Sequence, residues 1–223
     1  MGAGRRARRG TADGTGGRRP GRGGRHAITY PILRFVHLLG LTLMGAGLIG
    51  VWYADLRSRQ VRDLPLFAES IRQIAVFYDG LVVPGALLLL GSGTWLIVTV
   101  YGGWAFLGMP WLAGMVALFT FEFIEGNTIT RLYFLRLRRL ARAALVQGST
   151  TRELETARQE HLPTFTHFLD LPIFFIIVAL GAMRPNTWAL SLVGTILAVV
   201  AATMLALVIP RMYPFQVAVE TGA

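Results

Sequence analysis

The sequence has no cysteine and no lysine, and charged side chains make up only 15% of its 223 residues. Without cysteine there is no disulfide framework, zinc–thiolate site, iron–sulfur cluster or thiolate nucleophile. Without lysine there is no Schiff base and no amine base. A soluble domain of this length spends about a quarter of its residues on charge, so the shortage points to a different solvent. What is abundant is apolar: 53% of residues are hydrophobic, in runs longer than the roughly 18 residues that mark a membrane span. The chain therefore reads as an all-α, polytopic transmembrane helical bundle.

The 22 basic residues, all arginine, outnumber 12 acidic ones and give a net charge of +10. Eight of those arginines and a single aspartate fall within residues 1–25, so +7 of the charge sits there. That stretch has almost nothing apolar to bury and does not offset its backbone entropy, so residues 1–27 are expected to form a disordered Arg/Gly-rich tail. A basic arm on anionic lipid is the first reading of it, and an over-extended gene start is the second. As an RNA-binding tract it lacks interleaved aromatics to stack on bases, so no nucleic-acid partner is expected. The transmembrane domain is placed at 28–213 and a short C-terminal tail at 214–223.

Five spans follow from the apolar runs. The first covers about Tyr30 to Tyr53, and Phe35 to Tyr53 has no charged residue over 19 positions. Gly80 to Phe121 runs 42 residues without charge, twice one crossing, and breaks at Tyr101-Gly102-Gly103-Trp104. Paired glycines favour a turn there and the aromatics suit an interface. Spans two and three thus form a hairpin. Pro185-Asn186 separates span four (about Phe165 to Met183) from span five (about Thr187 to Ile209), a four-helix core plus one. Between spans three and four, Arg131, Arg136, Arg138, Arg139 and Arg142 interleave with leucines, which predicts a basic interfacial helix with its apolar side on anionic headgroups. Thr150 and Glu153 read as a capping box for a second short helix, ended by Pro163.

Arginines in short loops set orientation. Arg57, Arg59, Arg62 and Arg72 follow span one; Arg131 to Arg158 follow span three; the opposite loops hold Arg184 alone. This places the C-terminus, with Arg211, in the cytoplasm of a bacterial cell and the N-terminus outside the plasma membrane.

Ionisable groups inside spans are costly and become functional candidates. Arg34 and His37 are three apart near the start of span one, on one helical face. Asp79 opens span two; Glu122 and Glu125 end span three; His167 and Asp170 open span four. The last five gather toward the cytoplasmic ends. His37 and His167 differ by about 15 Å in depth and cannot ligate one iron. A haem on His37 is then five-coordinate, takes a methionine such as Met183, or lies between two protomers. Glu122, Glu125, His167 and Asp170 resemble a carboxylate-bridged metal site, but the Glu-x-x-Glu and His-x-x-Asp pattern lacks the repeated Glu-x-x-His. The favoured reading is interfacial carboxylates answering Arg72, Arg131 and Arg136. Ala46/Gly50 and Ala198/Ala202 read as close helix packing, and Trp52, Trp104, Trp111 and Trp188 as interface anchors.

The stretch Leu33-Arg34-Phe35-Val36-His37-Leu38-Leu39-Gly40, the DGLVVPG motif from Asp79 to Gly85, and Leu171-Pro172 leading to Gly181-Ala182-Met183-Arg184-Pro185 resemble a bacterial family of predicted integral membrane proteins of unassigned function. That family sits beside the CopD-like copper-resistance proteins and the HemJ-like protoporphyrinogen oxidases. The resemblance covers roughly residues 30–186 and leaves span five outside. It implies a haem tied to the first-helix histidine, here His37. The lysine essential in the HemJ-like relatives has no counterpart in a chain without lysine, which argues against their oxidase activity. Copper, the implication of the CopD-like side, finds no Met-rich or His-rich path.

Three functions compete. The first is redox or haem-related membrane chemistry, with b-type haem on His37 and Arg34 pairing a propionate. The second is a non-enzymatic scaffold, assembly factor or transporter accessory protein, whose Arg131–Arg142 helix meets lipid, a second copy or another membrane protein. The third is a proton or cation pathway through Glu122, Glu125 and Asp170, for which no polar residues continue outward along spans two and five.

Overall fold

A computed structural model describes residues 23–214. Helix α1 (Gly23–Gln60) is followed by α2 (Leu64–Phe77), which passes through a π-helical turn (Tyr78–Val82) into α3 (Val83–Thr99). A 3₁₀ segment (Gly103–Gly108) leads to α4 (Pro110–Glu125), and a second π-helical turn (Gly126–Thr130) joins α4 to α5 (Arg131–Gln147). Then come α6 (Arg152–Arg158), α7 (His161–Met183) and α8 (Ala189–Met212). No strand occurs among the described residues, and five continuous helical stretches are long and apolar enough to cross a bilayer. The expectations for residues 1–22 and 215–223 lie outside the described residues; α1 starts at Gly23, inside the stretch assigned to the tail.

The spans are longer than the sequence suggested. Leu64–Thr99 has 36 residues and Pro110–Gln147 has 38, about 54 and 57 Å against a hydrocarbon core of about 30 Å. Both overrun at the arginine-rich end. The loop expected to carry Arg57 to Arg72 shrinks to residues 61–63, where Asp63 caps α2 by accepting from the Leu66 amide at 3.0 Å. Hydropathy alone ended span two near Gly80, because α2 is amphipathic and its polar face lowers the local average.

This overrun corrects the interfacial-helix expectation. The apolar side of α5, with Phe134, Leu137, Ala141 and Ala144, is buried in the same core as Phe67, Ile71 and Ile74 of α2. Those side chains are covered by protein instead of facing lipid, while Arg136, Arg139 and Arg142 are exposed. The cap of α6 is Thr151, one residue past the expected Thr150, accepting from the Leu154 amide at 3.2 Å. Pro163 does not end that helix. It sits in the first turn of α7, where a missing amide hydrogen forfeits no helical bond.

Within the membrane, α1 carries a buried line, Gly40, Met44, Gly47, Leu48, Val51 and Ala54, recurring every three or four residues. Gly40 and Gly85 let α1 and α3 cross nearly backbone to backbone. A Cβ on Gly85 would lie 2.5 Å from the Met44 amide nitrogen and 2.8 Å from the Gly40 carbonyl. Such small-residue contacts replace the hydrophobic effect as the adhesive in lipid. The expected Ala46 does not take part: it is exposed, whereas Gly47 packs against Val82. Ala198 and Ala202 are buried on the α7 side of α8, as the spacing implied. The α3–α4 turn falls at Gly102 and Gly103, with φ of 73° and 61°. Trp104 and Trp188 are exposed, Trp111 receives the Arg184 guanidinium 5.3 Å from its ring, and Trp52 points inward.

Replacing Gly85 by alanine is expected to lower stability by about 1–3 kcal/mol through overpacking, read as a fall in the thermal unfolding midpoint in detergent. Gly91→Ala, where an added Cβ meets nothing within 4 Å, serves as the control and leaves the midpoint unchanged or slightly raised.

Candidate functional site

The predicted residues divide among three places. Near the arginine-poor end, His37 of α1 lies 2.9 Å from the Ser92 hydroxyl of α3 through Nδ1. Ser92 also sits 2.5 Å from the Leu88 carbonyl, to which it gives its only proton. Its oxygen is therefore the acceptor for an Nδ1–H, and in the neutral imidazole the bare lone pair is on Nε2. Arg34 is exposed one turn away, and Met183 is exposed at the end of α7.

At the other end of the same helix, Asp55 and Arg59 form a buried ion pair at 2.9 Å. His167 joins them, its Nε2 3.7 Å from Asp55 Oδ2. Trp52 donates from its indole nitrogen to the His167 carbonyl at 3.3 Å and packs edge-on against Phe168. Phe134 closes the site with its ring centroid 5.2 Å from that of His167. Asp55 and His37 are 18 positions apart on α1, which is about 27 Å of helix. The two histidines thus belong to separate sites, farther apart than their depths implied.

The third place is a carboxyl cluster between α4 and α7. Glu122, Glu125 and Asp170 are all buried. Asp170 of α7 neighbours the Glu125 carboxyl, and Glu125 Oε1 accepts from the Thr130 hydroxyl at 2.8 Å. Thr130 in turn contacts Thr166 at 3.1 Å. Glu122 differs: it is 4% exposed, and neither carboxyl oxygen has a hydrogen-bond partner. It borders, with Asp170, Tyr78 and Asn127, a cavity with about 20 Å³ open to the centre of a water molecule, room for one. Met44, Leu48, Val82, Val83 and Ala86 form its apolar wall.

Two expectations change here. Arg72, Arg131 and Arg136 do not answer these carboxylates. They pair with Glu69, Asp79 and Glu160 at 2.6, 2.9 and 2.6 Å, because they lie on outer helix faces while the cluster faces the bundle interior. Nor does His167 join Glu122, Glu125 and Asp170, since its ring turns toward α1 and Asp55. Among the described residues, no three His, Asp or Glu side chains are set to hold a metal ion. Asp79, expected to open span two, instead lies inside the Leu64–Thr99 stretch, in the first π-helical turn, exposed and outside the cluster.

Local backbone explains how the cluster is built. Each π-helical turn inserts one extra residue, and the two turns flank the site: Tyr78 begins one and Gly126 the other. The Tyr78 hydroxyl donates to the Gly126 carbonyl at 2.8 Å, and a Cβ on residue 126 would come within 2.7 Å of that hydroxyl. Pro172, two residues after Asp170 inside α7, has no amide hydrogen for the preceding turn. π-Helical turns occur often at functional sites.

The model of a family described as "Predicted integral membrane protein (DUF2269)" matches residues 31–185. The chain belongs to this family. The matched region takes in His37, the Asp55 site, the carboxyl cluster and both π-helical turns of this DUF2269 member, and it stops before α8, close to the extent expected from the motifs. No curated protein and no solved structure matches the chain.

Sequence reasoning missed Asp55, Tyr78 and Ser92. Asp55 and Arg59 carried a readable signal, opposite charges at i,i+4, but Arg59 was counted only toward topology. Tyr78 and Ser92 carried none, since their roles depend on helix rotation and crossing. Removing the shared carboxylate with Asp55→Ala is expected to destabilise the protein by about 3–5 kcal/mol. Thermal unfolding in detergent measures this, with the exposed Asp79→Ala expected to cost about 1 kcal/mol or less.

Proposed function

We propose that this membrane protein handles protons within the bilayer, and that Glu122, beside the Glu125–Asp170 pair, is the group that takes up and releases them. The observation that carries this reading is the Glu122 carboxyl, with both oxygens unpartnered against a cavity the size of one water. Among the described residues no cation pairs with Glu122, and intramembrane ionisable groups kept in such surroundings mark proton relays and ion paths.

A hydrophobic carbodiimide tests this. It adds to a buried carboxylic acid and leaves a stable N-acylurea detectable by peptide mass spectrometry. Labelling is expected on the Glu122 peptide of the folded protein in nanodiscs, and its loss is expected in Glu122→Gln. A folded protein that stays unlabelled, while the unfolded chain labels, overturns the reading.

A second reading, b-type haem on His37 in redox chemistry, is favoured by the Ser92 contact. That bond holds Nδ1 and leaves Nε2 as the ligating nitrogen, the arrangement that second-shell partners of ligand histidines impose. The resemblance to the HemJ-like proteins points the same way. A bound haem would supply one-electron chemistry, with Arg34 near a propionate. Protein purified from haem-replete cells is then expected to show a Soret band that vanishes in His37→Ala; a colourless folded preparation excludes it.

The loop arginines support an orientation with the α2–α5–α6 end in the cytoplasm of a bacterial cell. There the exposed Arg136, Arg139 and Arg142 suit anionic headgroups of the plasma membrane.

A further inference from the structure

Two openings meet at Tyr78. One is the Glu122 cavity. The other is a smaller cleft of about 10 Å³ on the same measure, lined by Ala75, Tyr78, Asp79, Arg131, Phe134 and Leu135. Tyr78 is the only polar residue common to both linings, and it is itself buried. The cleft runs outward to the Asp79–Arg131 ion pair, whose side chains are 45% and 37% exposed. On its other side the Glu122 cavity meets the apolar Met44 and Leu48 of α1 and Val82, Val83 and Ala86, with Phe123 and Asn127 completing the wall; the Asn127 amide nitrogen is tied up by donating to the Phe123 carbonyl at 2.8 Å.

The titratable and charged groups around Glu122 are few. Glu125 is on its own helix, Asp170 on α7 and Tyr78 on the facing π-helical turn; α1 contributes only apolar side chains to the cavity. Arg131 and Asp79 lie beyond Tyr78, toward the surface. Along the cleft, one phenol ring, held by its hydrogen bond to Gly126, stands between the Asp79–Arg131 pair and Glu122.

We propose that Tyr78 is a gate that admits protons to Glu122 from the arginine-rich face alone. This deepens the proton-handling reading and rests on it. Breaking the Tyr78–Gly126 bond lets the ring swing and joins cleft to cavity through water. A hydronium ion then gives its proton to the Glu122 carboxylate, leaving a carboxylic acid and a water molecule. The two π-helical turns supply the slack, since their backbone bonds are off the regular α-helical register and Tyr78 and Gly126 each begin one. Glycine suits position 126 because a Cβ there would lie 2.7 Å from the phenol oxygen and push the ring off its hydrogen bond.

The test uses the full chain in nanodiscs and infrared spectroscopy of the carboxylic acid carbonyl band, assigned to Glu122 by its loss in Glu122→Gln. Transfer to heavy water shifts the band, and the rate of the shift reports access. Tyr78→Phe removes the pinning bond and is expected to speed exchange about tenfold, the equivalent of one hydrogen bond. If the wild-type protein shows no such band, the proton-handling reading falls and the gate with it. If the band is present and Tyr78→Phe exchanges at the wild-type rate, the gate alone falls.

Sidedness has its own measurement, independent of the Tyr78 variant. The sequence has no cysteine, so Leu135→Cys in the cleft is a unique thiol. In sealed vesicles, a small charged methanethiosulfonate is expected to modify Leu135→Cys from the arginine-rich face only, and the attached group, blocking the cleft, is expected to slow heavy-water exchange at the Glu122 band several-fold. Modification from the opposite face, or an exchange rate unchanged after modification, overturns one-sided access.

Discussion

Hydrocarbon offers no partner for a backbone amide, so a chain crossing it must keep its helical bonding unbroken. Here that rule extends past the membrane: two of the five crossings run on for several turns as α2 and α5. Continuity has a price in geometry, because a rigid helix fixes the direction of every side chain beyond the bilayer once its direction inside is set. The apolar faces of α2 and α5 must meet each other while α3 and α4 meet α1 and α7. Both helices meet the two demands with a π-helical turn, and the Tyr78–Gly126 hydrogen bond fastens one turn to the other. The packing of the arginine-rich end and the position of the carboxyl cluster both depend on that pair of turns.

Polar groups in the interior are sorted into sites that do not exchange partners. Asp55 and Arg59 balance charge against charge beside His167 and are walled by Trp52, Phe134 and Phe168. The carboxyl cluster is balanced only by hydroxyls and by its own members, and one member is left over. The Asp55 site also keeps one ring nitrogen, His167 Nε2, without a hydrogen bond, but among the described residues Glu122 alone leaves both oxygens of a buried carboxyl group unpartnered. Arginines outnumber carboxylates in the chain as a whole, yet among the described residues none hydrogen-bonds Glu122. That separation is a property of the fold, since Arg131 stands only five residues after Gly126 and points to Asp79 instead.

Much of the architecture was legible in the sequence because membrane spans are written in composition. The long uncharged runs, the Gly102-Gly103 break and the Pro185-Asn186 turn each mark a place where one local property decides the outcome. The depth argument separating His37 from His167 also follows from sequence position alone. Helix overruns were not legible, since α2 alternates polar and apolar faces and falls below a hydropathy threshold while remaining helical. The split of the four-residue metal motif into two sites was hidden for a related reason. His167 and Asp170 share a face at i,i+3 spacing, but that face is broad enough for one to reach α1 and the other α4. Glu122 and Glu125 were found as candidates from burial cost alone; that Glu122 would be the unpartnered one depends on distances no spacing rule contains.

The paired π-helical turns bear on how such a chain can change. Deleting one residue from either turn would restore an ordinary α-helix locally, yet everything beyond it would rotate by about 100° and shift by about 1.5 Å. The apolar face of α2 would then swing away from that of α5. A compensating deletion in the other helix would not restore the match, because both right-handed helices would turn in the same sense when viewed along one axis, which carries their facing sides in opposite directions. Insertions and deletions in this family should therefore collect in the α3–α4 connection and around α6, while the lengths of the two long crossings stay fixed.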